Sequence, residues 1–280
     1  MSMLSDFIAY LNTLPPEIML IVEMLVCFSL IPVMLRLFGP AGMFVYIAIA
    51  IVGANIQVLK AVKFAIFSDP TALGTVLMAS AYLCTDVLTE YYGRATARRG
   101  IWLGFAAMLL MTCMMMLAMG YRPMTPAEAG EAMAWALPNH DHIMALFLPA
   151  PTLLAASMTS YLISQFNDVM VFQKIRAWTG TRHMWLRAGG STAISALIDN
   201  IIFNSLAWVV FPWLLGEQPL GLAALIFTYI IGTYWIRLAM AVVEAPFIYL
   251  AGRFLPPEDR QRYRREDLPS PLTAATTATA

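Results

Sequence analysis

The chemistry of this 280-residue chain is held by a few polar side chains set inside long apolar runs. In "CTDVLTEYYGRATARRG" (84–100), Asp86 and Glu90 stand four residues apart, just before Arg94, Arg98 and Arg99. That spacing puts both acids on one helix face, roughly 6 Å apart. Further along, Ser160, Ser164, Asp168 and Phe172 recur in type as Ser191, Ser195, Asp199 and Phe203, again every fourth residue. Asp168 follows Gln165, and Asp199 is flanked by Asn200 and Asn204. Asn55, Gln57 and Lys60 form a third group, and Arg237 and Glu244, seven apart, a fourth. Carboxylates, amides, hydroxyls and aromatics together suit a ligand that donates hydrogen bonds, or a cation. Carboxylates also carry protons. With no internal cluster of bases, the set is wrong for phosphates or multiply charged anions.

The elements that position these residues follow from composition. Apolar residues make up 60% of the chain and charged residues 12%, against about 25% charged in an ordinary soluble domain. Mean hydropathy is +0.70. The apolar residues cluster in runs of roughly 20, enough to cross about 30 Å of hydrocarbon as helix. Seven such runs are predicted, at about 18–38, 42–66, 72–92, 100–120, 143–173, 188–213 and 220–252. Gly39-Pro40, Asp69-Pro70, Gly93, Pro123, Pro126 and Pro219 punctuate them, as helix breakers do. The fold class is all-α, a polytopic membrane protein.

Lys and Arg set the orientation. With the N-terminus outside, the inner segments hold Arg36, Arg94, Arg98, Arg99, Lys174, Arg176, Arg182, Arg187 and five tail arginines. The outer segments hold only Lys60, Lys63 and Arg122, which predicts N-terminus outside and C-terminus cytoplasmic.

A charge near mid-membrane costs about 2.5–3.5 kcal/mol even on lenient scales, so depth decides a residue's role. Glu90 is expected near the inner interface, paired with Arg94 or Arg98. Asp86, a turn deeper, is expected in a pocket, as is Asp199. Asp168 either joins that pocket or caps an interfacial network with Lys174. Arg237 and Glu244 pair with each other or with acids on other helices, and Asn55 lies deep enough to need a partner. The serines spaced by four also let helices approach closely. Glu23 is assigned to helix packing or a shallow position rather than to function.

Other features are bland. Cys27, Cys84 and Cys113 fall inside apolar runs without metal or redox spacing. The segment 121–142 is predicted as an outside loop with a short surface helix, in which His140 and His142 are solvated rather than metal-bound. No removed signal peptide is expected, and the tail 255–280 is expected to be disordered. No cofactor motif, ATP-binding loop or nucleic-acid-binding feature is present. Intramembrane proteases would need Gly-x-Gly-Asp pairs or an intramembrane His, and a metal-dependent transferase a dense Asp cluster. The acids here lie on separate helices.

At these residues the chain resembles the queuosine precursor transporter family, also called the putative vitamin uptake transporters. The likeness rests on Asn55 in "VGANI", on "TDVLTEYYGRATARRGIWLGF", and on "SQFNDVMVFQKIR" (164–176). It extends to "WLRAGGSTAISALIDNIIF" (185–203) and to "VVEAPFIYLA" (242–251) with Arg237 upstream, and spans about 45–252. It implies a six-helix core (42–254) similar to the substrate-binding components of energy-coupling-factor transporters. An extension with one added transmembrane helix (1–41) precedes it and the tail (255–280) follows. It also implies a bacterial inner-membrane location and 7-deazaguanine substrates such as 7-cyano-7-deazaguanine and 7-aminomethyl-7-deazaguanine. The chain departs from the family pattern at Thr152, Ala196, Asn200, Arg237 and Glu244, which bears on the ligand rather than the fold.

For such a ligand, Asp199 or Glu244 would accept the paired N–H and amine edge. Gln165, Asn55 and Asn200 would read the remaining polar atoms, and Phe203 with Tyr82 or Trp208 would stack. A binding component that needs a separate ATPase stays open as an alternative, and so does a homo-oligomer.

Overall fold

A computed structural model describes residues 2–65, 71–147, 151–180 and 183–266. A short exposed helix α1 (Ser2–Leu11) precedes α2 (Pro16–Gln57), the longest element. The first two predicted runs are both in α2, because the helix is broken at Gly39 rather than ended there. Gly39 takes φ +56° and ψ −142°, a left-handed geometry that favours glycine, and Pro40 cannot donate across the break. The two legs fold against each other: Gln57 Nε2 donates to Glu23 Oε1 (2.8 Å) and the Tyr46 hydroxyl to the Cys27 carbonyl (2.9 Å). Glu23 thus finds its partner in packing. The second leg stops at Gln57, short of the expected 66, because the chain turns into a small antiparallel hairpin, β1 (Ala61–Val62) with β2 (Thr71–Ala72). The Asp69-Pro70 break lies outside the described residues.

Next come α3 (Thr75–Tyr91) and α4 (Arg94–Met119), joined only by Tyr92 and Gly93. Gly93 has φ +84°. The stretch "GRATARRG" is therefore the first turns of α4 rather than a basic loop. A surface segment follows, with α5 (Pro126–Ala129), a 3-10 turn (Ala134–Ala136) and α6 (Asn139–Phe147). The Thr125 backbone N–H and hydroxyl both donate to Glu128, closing a capping box and holding that carboxyl below the usual range. His140 and His142 lie in the first turn of α6, not in a loop.

The remaining spans are α7 (Pro151–Thr179), α8 (Met184–Ser205) and α11 (Thr233–Phe254). The helix of α8 continues through a π-helical segment (Leu206–Val210) into α9 (Phe211–Leu214). Before α11, the short α10 (Leu222–Ala224) and a second π-helical segment (Leu225–Gly232) complete one continuous helix. The tail departs from expectation in its first part. α12 (Pro257–Glu266) is helical, and the Tyr92 hydroxyl donates to Asp259 Oδ2 (2.7 Å), tying it to the end of α3. Residues 267–280 lie outside the described residues.

Four described helices are long and apolar enough to cross a membrane, or five if those either side of 148–150 count as one span. The protein is an all-α, multi-pass membrane protein. Its long helices turn apolar side chains outward, such as Leu25, Val45, Leu110, Leu117, Ile201 and Val242. Their interior faces carry Ser164, Gln165, Asp168, Ser195 and Glu244, all fully buried. This inversion suits a hydrocarbon solvent, where polar groups must find each other inside the bundle. α3 is the innermost helix, with every residue from Ala79 to Tyr91 buried. Gly104 lets α4 close on its neighbours, since a Cβ there would stand 2.6 Å from the Tyr161 hydroxyl and 2.9 Å from Ile47.

Candidate functional site

The two serine–acid stripes are the framework of the site. α7 and α8 pack antiparallel, so each stripe meets the other head to tail. Ser160 Oγ donates to Asp199 Oδ1 (2.7 Å), and Ser164 Oγ stands 3.2 Å from the same oxygen. Asn167 Nδ2 reaches Ser195 Oγ (3.0 Å), and Asp168 lies beside Ser191 and Ser195. At the far end the Arg187 guanidinium covers the Phe172 ring at 5.9 Å. The sequence repeat thus becomes two acid–hydroxyl stations roughly 9 Å apart along the bundle, the rise of about six helical residues.

The first station opens into a cavity of about 280 Å³. Its polar wall is the Asp199–Arg237 ion pair, with Arg237 Nη1 2.5 Å from Asp199 Oδ2. Asn200 follows directly, its Nδ2 donating to the Ile230 carbonyl (2.7 Å) and the Thr233 hydroxyl (2.9 Å). Asn204 Nδ2 donates to Asn200 Oδ1 (2.8 Å), and Thr233 Oγ1 to the Tyr229 carbonyl (2.6 Å). These amides and hydroxyls brace the wall from behind. Phe203, Trp208 and Tyr229 supply aromatic surface, the last two with ring centroids 5.6 Å apart. Both of those lie in the π-helical segments, whose widened turns are often found beside functional sites. The lining also takes in Thr71 and Ala72 of the hairpin and Asn55, whose Nδ2 donates back to the Ile51 carbonyl of its own helix (2.9 Å).

Asn55, Asp199, Asn200, Phe203 and Arg237 therefore come together at one cavity. Asp86, Gln165, Asp168 and Glu244 do not line it. All four are fully buried, nearer the arginine-rich end of the bundle. Asp86 has Asp168, Glu244 and Glu90 as charged neighbours. Neither oxygen of Asp86, Asp168 or Glu244 has a hydrogen-bond partner, nor does Gln165 Nε2, although Gln165 Oε1 accepts from the Thr85 hydroxyl (3.0 Å). Tyr82 is also absent from the cavity wall. Its buried hydroxyl stands among Asp199, Ser164, Arg237 and Asp168.

Two pairings differ from expectation, and a third resolves one. Glu90 is not held at the interface by Arg94 or Arg98, which are exposed along with Arg99. It is buried, and Arg187 of α8 clamps it through both carboxylate oxygens, at 2.6 and 2.9 Å, with Arg176 3.9 Å away. The cause is geometric: the chain reverses at Gly93, carrying Arg94 and Arg98 to the outside of α4, while Arg98 covers the Phe166 ring at 5.8 Å. Of the two alternatives for Arg237, the second holds: it pairs not with Glu244 but with Asp199, an acid on another helix. Asp168 caps no network with Lys174, because it faces α3 and α8.

Sequence reasoning missed Arg187, which ranked as one more topological arginine, and Thr233 and Tyr229. The last two stand four and eight residues before Arg237 on one helical stripe, a legible signal.

Residues 72–251 match the family described as "putative vitamin uptake transporter". A Bacillus subtilis (strain 168) protein named "Probable queuosine precursor transporter" is 34% identical over 224 residues, covering 80% of this chain and 89% of that protein. No solved structure matches.

Proposed function

The chain belongs to the putative vitamin uptake transporter family, and from that premise we propose that it imports 7-deazaguanine precursors of queuosine. It is a membrane uptake transporter, not an enzyme, and its substrate is a small molecule. The observation that carries the finer reading is the Asp199–Arg237 pair facing an aromatic cavity. A deazaguanine edge presents a carbonyl acceptor, a ring N–H and an exocyclic amine in a row. A guanidinium beside a carboxylate offers the complementary donor, acceptor, acceptor. Arg237 would donate to the carbonyl and Asp199 accept from the two N–H groups, while Phe203, Trp208 and Tyr229 cover the flat bicycle. A cavity of about 280 Å³ sits at the low end of ligand pockets, about 300–1,000 Å³, which suits a free base better than a nucleotide.

This reading includes a bacterial inner-membrane location with the N-terminus outside and the C-terminus cytoplasmic. The cavity then opens outward, since Arg36, Arg94, Arg176 and Arg187 gather at the opposite end. A six-helix core from 42 to 254, similar to energy-coupling-factor binding components, belongs to the same proposal.

The test is calorimetric binding of 7-cyano-7-deazaguanine, 7-aminomethyl-7-deazaguanine, guanine and an unrelated vitamin by purified protein. Uptake into cells lacking coupling subunits is measured alongside. Asp199→Asn is expected to abolish binding and uptake while the protein still reaches the membrane. Unchanged uptake by that variant would sink the assignment, and uptake only with an added ATPase would favour the binding-component alternative.

A further inference from the structure

The cavity accounts for Asp199 but leaves three acids unused. Asp86 from α3, Asp168 from α7 and Glu244 from α11 meet in the closed interior, and all six carboxyl oxygens lack a hydrogen-bond partner. Asp86 faces Asp168, Glu244 and, on its own helix, Glu90. Asp168 faces Asp86 and the α8 hydroxyls of Ser191 and Ser195. Glu244 faces Thr192 and Asp168. From α2 the ionisable group reaching α3 is Tyr46, at Cys84 rather than Asp86. The nearby cations are engaged elsewhere, Arg187 with Glu90 and Arg237 with Asp199.

An ion pair explains none of these three acids, and bare anions clustered in a low-dielectric interior are strongly disfavoured. A second observation points to an exchangeable occupant. Thr192 Oγ1, which is not acidic and faces Glu244, is also buried without a partner. Among the described residues no three acidic, histidine or cysteine side chains converge closely enough to hold a metal ion. A proton needs no such convergence. It needs carboxyls that can lose and regain it, and a route. The Tyr82 hydroxyl, unpartnered and set between the Asp199–Arg237 pair and Asp168, supplies a step from the cavity to the trio. On the other side, Glu90 lies one helical turn beyond Asp86.

We propose that Asp86, Asp168 and Glu244 form an intramembrane proton station that couples ligand uptake to proton entry. A proton arriving through the open cavity binds a carboxylate of the trio, giving a neutral carboxyl. It leaves as a proton on the arginine-rich side once the ligand has been released. No other bond is made or broken. This rests on the transport reading above and adds the energy source to it.

Two measurements test it, and the first needs no ligand. Infrared titration of purified protein in lipid is expected to show a carboxylic-acid carbonyl band that is diminished in Asp86→Asn, Asp168→Asn and Glu244→Gln. Its absence from the wild type, or its survival in all three variants, overturns the station whatever the substrate. The second uses proteoliposomes and 7-cyano-7-deazaguanine. An imposed gradient of one pH unit, acid outside, can drive at most about tenfold accumulation for each proton carried, and a protonophore is expected to collapse it. The three variants are expected to bind the ligand within about twofold of wild type and to keep ligand exchange, but to lose accumulation. Accumulation driven by a sodium gradient at equal pH refutes the proposal, as do variants that accumulate normally or that lose ligand binding with coupling. Failure of the wild type to bind any deazaguanine would count against the substrate reading alone, and the infrared band then decides the station.

Discussion

Glu90→Gln is the sharpest test of how the bundle is held together. In the native protein the Glu90 carboxylate takes two charge-assisted bonds from Arg187, at 2.6 and 2.9 Å, and the side chains are 0% and 1% exposed. Arg187 also donates to the Gly180 carbonyl (3.0 Å), so its donors depend on partners from two directions. Neutralising Glu90 leaves the buried guanidinium without its carboxylate. Breaking such a pair from one side costs about 3–5 kcal/mol, because the remaining charge keeps its desolvation penalty. At about 2 °C per kcal/mol for a chain of this size, the midpoint should fall by roughly 6–10 °C. The assay is thermal unfolding in detergent, run as a cycle with Arg187→Met and with Glu90→Met/Arg187→Met. The double variant has no stranded charge and should recover much of the loss, since apolar replacement of a buried pair is often neutral. A drop under about 2 °C for Glu90→Gln, or a double variant as poor as the two singles added together, would refute the reasoning. Ligand binding below the midpoint should be preserved, because the clamp lies at the end of the bundle opposite the cavity.

Two further predictions concern packing and the cavity. Gly104→Ala places a methyl 2.6 Å from the Tyr161 hydroxyl, which is itself fixed by donating to the Ile101 carbonyl (3.1 Å); overpacking of this kind costs about 1–3 kcal/mol. Adding Tyr161→Phe removes the obstructing oxygen, so the double variant should unfold at a higher temperature than additivity allows. Trp208→Ala removes one face of the aromatic cover and should weaken deazaguanine binding by about two- to tenfold, the worth of a stacked aromatic pair, without lowering the unfolding midpoint comparably; calorimetry and thermal unfolding separate the two.

Much of the fold was legible because hydrocarbon length and helix breakers are local properties. Seven apolar runs and the Gly39-Pro40 break needed no tertiary information. The misreadings came where direction after a turn matters. "GRATARRG" has the composition of a loop, yet only two residues separate α3 from α4, and the helix resumes at Arg94. That early resumption turns Arg94 and Arg98 outward and leaves Glu90 to an arginine 97 residues away in sequence. Charge spacing along one helix cannot foresee a partner on another.

The serine–acid repeat shows the same boundary more sharply. Its two copies are alike in residue type, and helical periodicity places each on one face, so Asp199 reads as a pocket acid and Asp168 as a pocket acid or an interfacial cap. Antiparallel packing then gives each acid the other stripe's serines, which keeps the equivalence at the level of hydroxyls. The difference comes from third helices. α11 brings Arg237 to Asp199, and the adjacent π-helical segments open space for Trp208 and Tyr229, so that acid is charge-paired and faces a cavity. One bundle layer away, the same α11 brings Glu244 toward Asp168, and α3 adds Asp86. That acid meets only other acids and hydroxyls in a sealed interior. Arg237 and Glu244 share a helix, and their seven-residue spacing looked like an ion pair. The spacing instead sets the separation between the cavity-facing ion pair and the trio of carboxyls, and it is the cation at one and its lack at the other that gives two like motifs different surroundings.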